Sequence, residues 1–169
     1  LRKRVEYQLI HGFDNRFEGD IEGFVNGSKA MASGGTQAVH IIIPVEIDIN
    51  GNKALAQSTG NIQIRFQYDG NDYDCTSYTT FVSRLEKVDE EWKILTLDCI
   101  YDRDTLTAPI PVEKPVRLPV DQFVCRRSYK CIGWVLSLRG YNINQNLPGK
   151  DDPASVIHFM AENVAWLQS

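Results

Sequence analysis

The chain has 169 residues, 43% of them hydrophobic and 24% charged, with a formal net charge of −4; this is one ordinary globular domain with room for a core. No Lys/Arg cluster exceeds Leu1–Arg4, so the charged stripe that neutralises phosphates is missing and nucleic acid is not an expected partner. No apolar run approaches the ~18–20 residues that span a bilayer, the longest being Val39–Val45, which contains His40 and Pro44; no membrane association is expected.

Residues 3–17 place Val5, Leu9, Ile10, Phe13 and Phe17 at spacings of roughly one helical turn, predicting an amphipathic helix weakened at its end by Gly12. Ile21–Val25 reads as a short strand, and Ser28 as the N-cap of a short helix through Ala32. From Val39 the period changes to two. Val45, Ile47 and Ile49 alternate with Glu46 and Asp48, and Asn50-Gly51-Asn52 supplies a hairpin turn. Ile62, Ile64, Phe66 and Tyr68 then share one strand face, with Gly60 a candidate bulge. After the turn at Asp69-Gly70, a third strand covers 73–88 and a fourth 92–101, joined at Asp89-Glu90, with Trp92 as a core anchor.

Strands this much longer than the usual ~5–6 residues must twist and coil, so the meander is expected to curl around an interior. Pro109, Pro111, Pro115 and Pro119 break regular structure. A helix from about Asp121 to Arg139 is expected to end at Gly140, and a last one to run from Pro153, capped by Asp152, through Leu167.

The expectation is thus an α+β fold: a strongly curved antiparallel meander packed with N-terminal helices around a cone-shaped pocket, plus two C-terminal helices. Residues 1–106 would form the α+β barrel domain, 107–119 a proline-rich arm, and 120–169 a helical extension on the same domain. Cys75, Cys99, Cys125 and Cys131 form no CxxC pair and have no His at metal-ligand spacing. We read them as free thiols of a cytoplasmic protein, whose start also lacks the apolar region of a signal peptide. With no GxGxxG, P-loop or ligand cluster, no cofactor and no metal are expected.

This ordered series resembles the SnoaL-like branch of the nuclear transport factor 2-like, or cystatin-like α+β barrel, superfamily. The resembling residues are His40 leading into Val45–Ala54, then Arg84–Val88 with Asp89–Ile94, and Ile100–Leu106 as the exit from the last strand. Arg127–Tyr129 and Leu147–Pro153 are similar to the extended form found in fungal and actinobacterial members. Scytalone dehydratase is similar in plan.

The resemblance implies a pocket that dehydrates, isomerises, cyclises, opens epoxides or simply binds, with a His at the position of His40 paired to an Asp at the position of Asp14. Where a second His is used on the third strand, this chain has Thr76, Tyr78 and Thr80. The segment between Asp14 and Gly27 is shorter than the family plan by roughly two helical turns. Members of this fold commonly pair through the sheet, so a homodimer is expected.

The residues fit that chemistry. A neutral imidazole with an unperturbed pKa of ~6.5 can take a proton from carbon or a hydroxyl near working pH. A carboxylate on its other nitrogen would fix the tautomer. We therefore expect His40 as general base, Asp14 as its partner with Asp20 and Glu22 as fallbacks, and the Tyr78 phenol polarising a departing oxygen. Ile42, Phe66, Tyr68, Cys99 and Tyr101 are expected to line the substrate site. His11 and His158 read as exposed helical residues, and Tyr101–Asp104 as an ion-pair cluster anchoring the arm.

The function expected is a cofactor-independent lyase or isomerase, dehydratase- or cyclase-like, acting on an apolar, ring-bearing molecule such as a polyketide or terpenoid. Two alternatives stay open. One is a non-catalytic small-molecule-binding or dimerisation module of the same fold. The other is an epoxide hydrolase drawing on Asp98, Asp102 and Arg103.

Overall fold

Four strands carry the molecule because their side chains alternate and their turns are two residues long. The computed structural model describes residues 8–11, 15–17, 22, 23, 25, 26, 29, 37–110 and 118–169. Within these, β1 (Gln8–His11) and β2 (Asn15–Phe17) precede the long strands β3 (Gln37–Asn50), β4 (Lys53–Tyr68), β5 (Asn71–Val88) and β6 (Glu91–Thr107). The sheet order is β2-β1-β6-β5-β4-β3. β3 to β6 form an antiparallel meander, while β1 lies parallel to β6 through Gln8↔Thr96 and Leu9↔Leu97.

Hairpin geometry follows from backbone sterics. Asp69 (φ 48°) and Gly70 (φ 75°) both take left-handed conformations, as the type I′ turn requires. Asp89 (φ 50°) and Glu90 (φ 62°) do the same without glycine. Register shifts between Pro44 and Glu46 in β3, and between Tyr78/Thr79 and Arg84/Leu85 in the β5–β6 ladder, insert bulges that bend and twist the sheet. Gly60 is not one of them, for β4 keeps its register on both sides. It is glycine because β3 comes too close: a Cβ there would lie 1.8 Å from the Ile41 carbonyl oxygen.

Helices cover the two faces. α1 (Lys130–Ser137) packs its buried Ile132, Trp134, Val135 and Leu136 against Ile62, Ile64, Phe66, Tyr73, Cys75, Phe81, Cys99 and Tyr101. α2 (Pro153–Gln168) covers Leu55, Val82 and Ile100 on the opposite face through Leu167, Val156, Phe159 and Met160. Trp134 meets Phe66 and Tyr68 edge-on at 6.0 and 5.2 Å between ring centroids. Trp166, on the other face, lies between Lys53 and Arg84, each 5.3 Å from its ring centroid. The two tryptophans are therefore apart, and Trp92 is exposed rather than a core anchor.

The segments on either side of α1 are clasped together. Asp151 accepts hydrogen bonds from the Arg126 guanidinium at 2.5 and 3.3 Å, the Ser128 hydroxyl at 2.7 Å and the Arg127 N–H at 3.1 Å. Burial works against the Asp151 charge, but the Arg126 and Ser128 bonds outweigh it and hold the carboxyl below its usual range. Pro148–Lys150 then runs beside Tyr101, with Tyr101 N–H donating to the Pro148 carbonyl at 2.9 Å and Lys150 N–H to the Tyr101 carbonyl at 2.8 Å. Lys150 also pairs with Asp102 at 2.9 Å.

The fold is α+β, with the curved antiparallel meander and the two C-terminal helices expected from the sequence, while several details differ. The helix expected over 3–17 is strand in its described parts, where Leu9↔Phe17 and His11↔Asn15 pair and β1 satisfies the open edge of β6. Glu22, Gly23 and Val25 are helical where a strand was expected, and Asn26 and Lys29 are helical as well.

The helix expected over 121–139 is divided into 3-10 turns at Pro119–Gln122 and Arg127–Tyr129 followed by α1. Arg126 is held extended (φ −67°, ψ 149°) at the clasp. Pro153 opens α2 as expected, but the Asp152 side chain makes no cap.

The Asp89-Glu90 turn yields a direct expectation. A side chain at φ 62° is strained, and the Lys87–Glu90 ion pair beside it is too exposed to repay much. Glu90→Gly is expected to raise stability by about 0.5–1 kcal/mol, measured by thermal or urea unfolding. Unchanged or lower stability would show that the turn carries no such strain.

Candidate functional site

Side chains directly opposite one another across the ladder share a face. The registers therefore define rows on the face covered by α1, the inner face. One row runs His40, Ile62, Ser77, Asp104, and the next Ile42, Gly60, Thr79, Tyr101. Flanking rows are Ala38, Ile64, Cys75, Leu106 and Pro44, Ser58, Phe81, Cys99. All five residues expected to line a site, Ile42, Phe66, Tyr68, Cys99 and Tyr101, lie on this face with His40.

His40 sits on the edge strand β3 and is solvent-exposed, yet burial lowers its pKa below 6.5. Both hold for a ring at the sheet edge that is partly covered by protein and partly open to solvent. Desolvation disfavours the imidazolium, so the ring is neutral at neutral pH. Its direct neighbour across the ladder is Ile62, 4% exposed, and Ile42 continues the apolar strip along β3.

Tyr78 is elsewhere. It pairs with Asn61 and Arg103, which places it on the outer face, where the Arg103 guanidinium stacks on its ring at 4.5 Å. A phenol there does not reach a substrate held beside His40. Asp14 and Asp20 lie outside the described residues, and Glu22 is exposed. His11 is in β1, not on a helix; its side chain is outside the described residues. His158 is exposed on α2, 3.4 Å from Glu162. Asp98 and Arg103 belong to the outer face and Asp102 pairs with Lys150, so the three candidates for epoxide opening do not converge on the inner face.

The structure brings Asp104, expected only as part of an ion-pair cluster anchoring the arm, onto the inner face. It shares the His40 row, but three strand spacings separate them, roughly 14 Å along the sheet at ~4.8 Å each. Its carboxylate instead accepts the Ile132 N–H at 2.8 Å, holding the first turn of α1 to the sheet. Burial raises its pKa, and the bond from Ile132 opposes the rise. The signal was hidden because the bulge at Asp102 shifts the alternation, so that Tyr101 and Asp104, not Tyr101 and Arg103, point the same way.

The thiols are unsuited to nucleophilic work. Burial first, then the Asp98 charge, pushes Cys99 up to about 12; burial and Asp104 do the same to Cys131, also to about 12. Cys75 is raised further by burial. All four cysteines are free. Among the described residues no group of three or more His, Cys, Asp or Glu could hold a metal ion, and no helix is long and apolar enough to cross a membrane.

A family model for the SnoaL-like domain matches residues 4–98, more than half of the chain. The protein belongs to the SnoaL-like family. A search of curated proteins found no match. The matched region holds β3, β4, β5 and the first half of β6, and so includes His40 and its apolar neighbours; the clasp, α1 and α2 lie beyond it.

The lowered pKa of His40 has a defined sign. The unfolded chain takes up the proton first as pH falls, so the stability that His40 contributes is lost as pH drops below about 6.5. In an NMR titration, the His40 ring signals are expected to move with a midpoint below 6.5. A midpoint at or above 6.5 contradicts a desolvated ring.

Proposed function

We propose that this SnoaL-like protein is a cofactor-independent lyase or isomerase, dehydratase- or cyclase-like, in which His40 is the general base. What supports the reading is the position of His40 on the inner face beside Ile62 and Ile42, with burial holding its pKa below the usual value. A neutral imidazole so placed accepts a proton from a carbon next to a carbonyl, and the imidazolium that forms returns it at another position or to a leaving hydroxyl. The apolar residues beside His40, Ile42 and Ile62, suit an apolar, ring-bearing substrate of polyketide or terpenoid type, while Phe66, Tyr68 and Tyr101 back the same face from beneath α1. Asp14 is the carboxylate we assign to orient the ring. Tyr78 is not retained in the mechanism, because it faces the other way.

That same orientation of Tyr78 favours a second reading, a binding module of this fold that turns nothing over. The two separate in one experiment. In deuterated buffer, the protein is expected to catalyse exchange of the hydrogens next to the carbonyl in at least one of a panel of cyclic aromatic ketones, followed by NMR. His40→Gln is expected to reduce that rate by about 10²-fold or more. Binding without exchange, or exchange untouched by His40→Gln, supports the binding module instead.

The reading extends to a cytoplasmic homodimer. On its outer face β3 exposes Val39, Ile41 and Ile43, at 54%, 43% and 56%, a contiguous apolar strip of the kind that marks an interaction site. Pro44 and the adjacent bulge make this edge a poor partner for another strand. A second copy stacked on the outer face of β3 is the arrangement this surface suits. Sedimentation analysis is expected to give a dimer that Ile41→Asp converts to a monomer with an unchanged circular dichroism spectrum. A monomeric parent protein would count against it.

A further inference from the structure

The inner face holds two hydroxyls that the fold does not use. Ser77 and Thr79 are 0% and 3% exposed, and neither Ser77 Oγ nor Thr79 Oγ1 has a hydrogen-bond partner. They stand two residues apart on one face of β5, with Ser77 in the His40 row and Thr79 in the Ile42 row. A buried hydroxyl without a partner has lost its bonds to water and gained nothing in return, so Ala at 77 and Val at 79 would serve the core better. Among the other orphaned side-chain oxygens on β4 to β6, those of Asn61 and Thr96 belong to the outer face, while the Tyr73 hydroxyl lies on the inner face further along β5, opposite Phe66. Their neighbours Ile62, Cys75, Phe81 and Cys99 are apolar, and the carboxylate of Asp104 beside Ser77 is engaged by the Ile132 N–H.

A route connects them to the open side of the face. His40 and Ile42 are exposed, Ile42 by 45%. Between Ile42 and Thr79 the row position is Gly60, which has no side chain. The atom nearest to that gap from the core side is Cε2 of Phe81, 3.1 Å from where a Cβ would stand. Phe81 thus flanks the gap between Ile42 and Thr79.

We propose that Ser77 and Thr79 are specificity-determining residues that orient a ring-bearing ligand by hydrogen bonding its hydroxyl or carbonyl oxygen, with Gly60 and Phe81 forming the approach. The inference rests on the reading that the His40 face takes a small molecule, but not on His40 acting as a base. A few placed polar groups in an apolar cleft are what fixes ligand orientation. A site built to bond such an oxygen discriminates against the analogue that lacks it.

The test uses 2-naphthol and naphthalene, which differ by one hydroxyl, as calorimetric or fluorescence probes. The parent protein is expected to bind 2-naphthol about tenfold more tightly than naphthalene. Ser77→Ala and Thr79→Val are expected to unfold at the same or a higher temperature while that preference falls to about threefold or less. Thr79→Ser, which keeps the hydroxyl, is expected to keep the preference. Variants that unfold at lower temperature would show that the hydroxyls are bonded within the fold, and that overturns the proposal. So does a parent protein with no preference for 2-naphthol, or a preference that survives both substitutions. His40→Ala separates this inference from the proposed catalysis, because it is expected to leave the preference for 2-naphthol in place.

Discussion

Direct pairing across four long strands decides which side chains can act together in this protein. Each strand has period two, so a residue's face is fixed by its partner in the ladder, and a slip of one residue would reverse every assignment. Thirteen partner pairs between β3 and β4 hold His40 opposite Ile62 and Ile42 opposite Gly60. The same ladder carries those rows on to Ser77 and Thr79 in β5. The hydrophobic contrast between faces enforces this register, since one face buries Ile62, Ile64 and Phe66 while Gln63, Arg65 and Gln67 stay exposed. The chemistry proposed for His40, and the exclusion of Tyr78 from it, both descend from that single constraint.

The C-terminal part builds on the sheet rather than standing beside it. Residues 119–137 close over the inner face, and α2 crosses to the outer one. The Arg126–Ser128–Asp151 clasp ties the two ends of this excursion together, and the Tyr101–Gly149 bridge ties them to β6. Gly149 is required at that junction because a Cβ would stand 2.8 Å from Asp151 Oδ1 and 3.0 Å from Ser128 Cβ. The two segments that resembled an extended form in sequence, Arg127–Tyr129 and Leu147–Pro153, are thus neighbours in space. The family match ends at Asp98, so this packing lies beyond the matched region.

What could be read from the sequence was whatever depends on local spacing. The alternation of Ile62, Ile64, Phe66 and Tyr68 gave the long strand and its buried face. The turn residues Asn50-Gly51-Asn52 and Asp69-Gly70 marked the hairpins, and the placement of His40, Ile42, Phe66, Tyr68, Cys99 and Tyr101 on one face follows from the same period. What could not be read depends on distant partners. Asp102 bulges out only because of how β5 and β6 pair, and that bulge brings Asp104 onto the inner face. Tyr78 was assigned by analogy of position, whereas its face is set by Asn61 and Arg103. The helix expected over 121–139 is divided by an acceptor, Asp151, that lies some two dozen residues downstream. Residues 8–17 have spacings compatible with a helix, and the unpaired edge of β6 draws their described parts into strands.

The face shared by His40 and Ile62 and denied to Tyr78 can be tested without knowing any ligand. Nuclear Overhauser contacts from the His40 ring protons, in protein with selectively labelled methyl groups, report on it directly. The account expects contacts to the Ile62 and Ile42 methyls and none to the Tyr78 ring. A contact between the His40 and Tyr78 rings, with the Ile62 methyls silent, would contradict it.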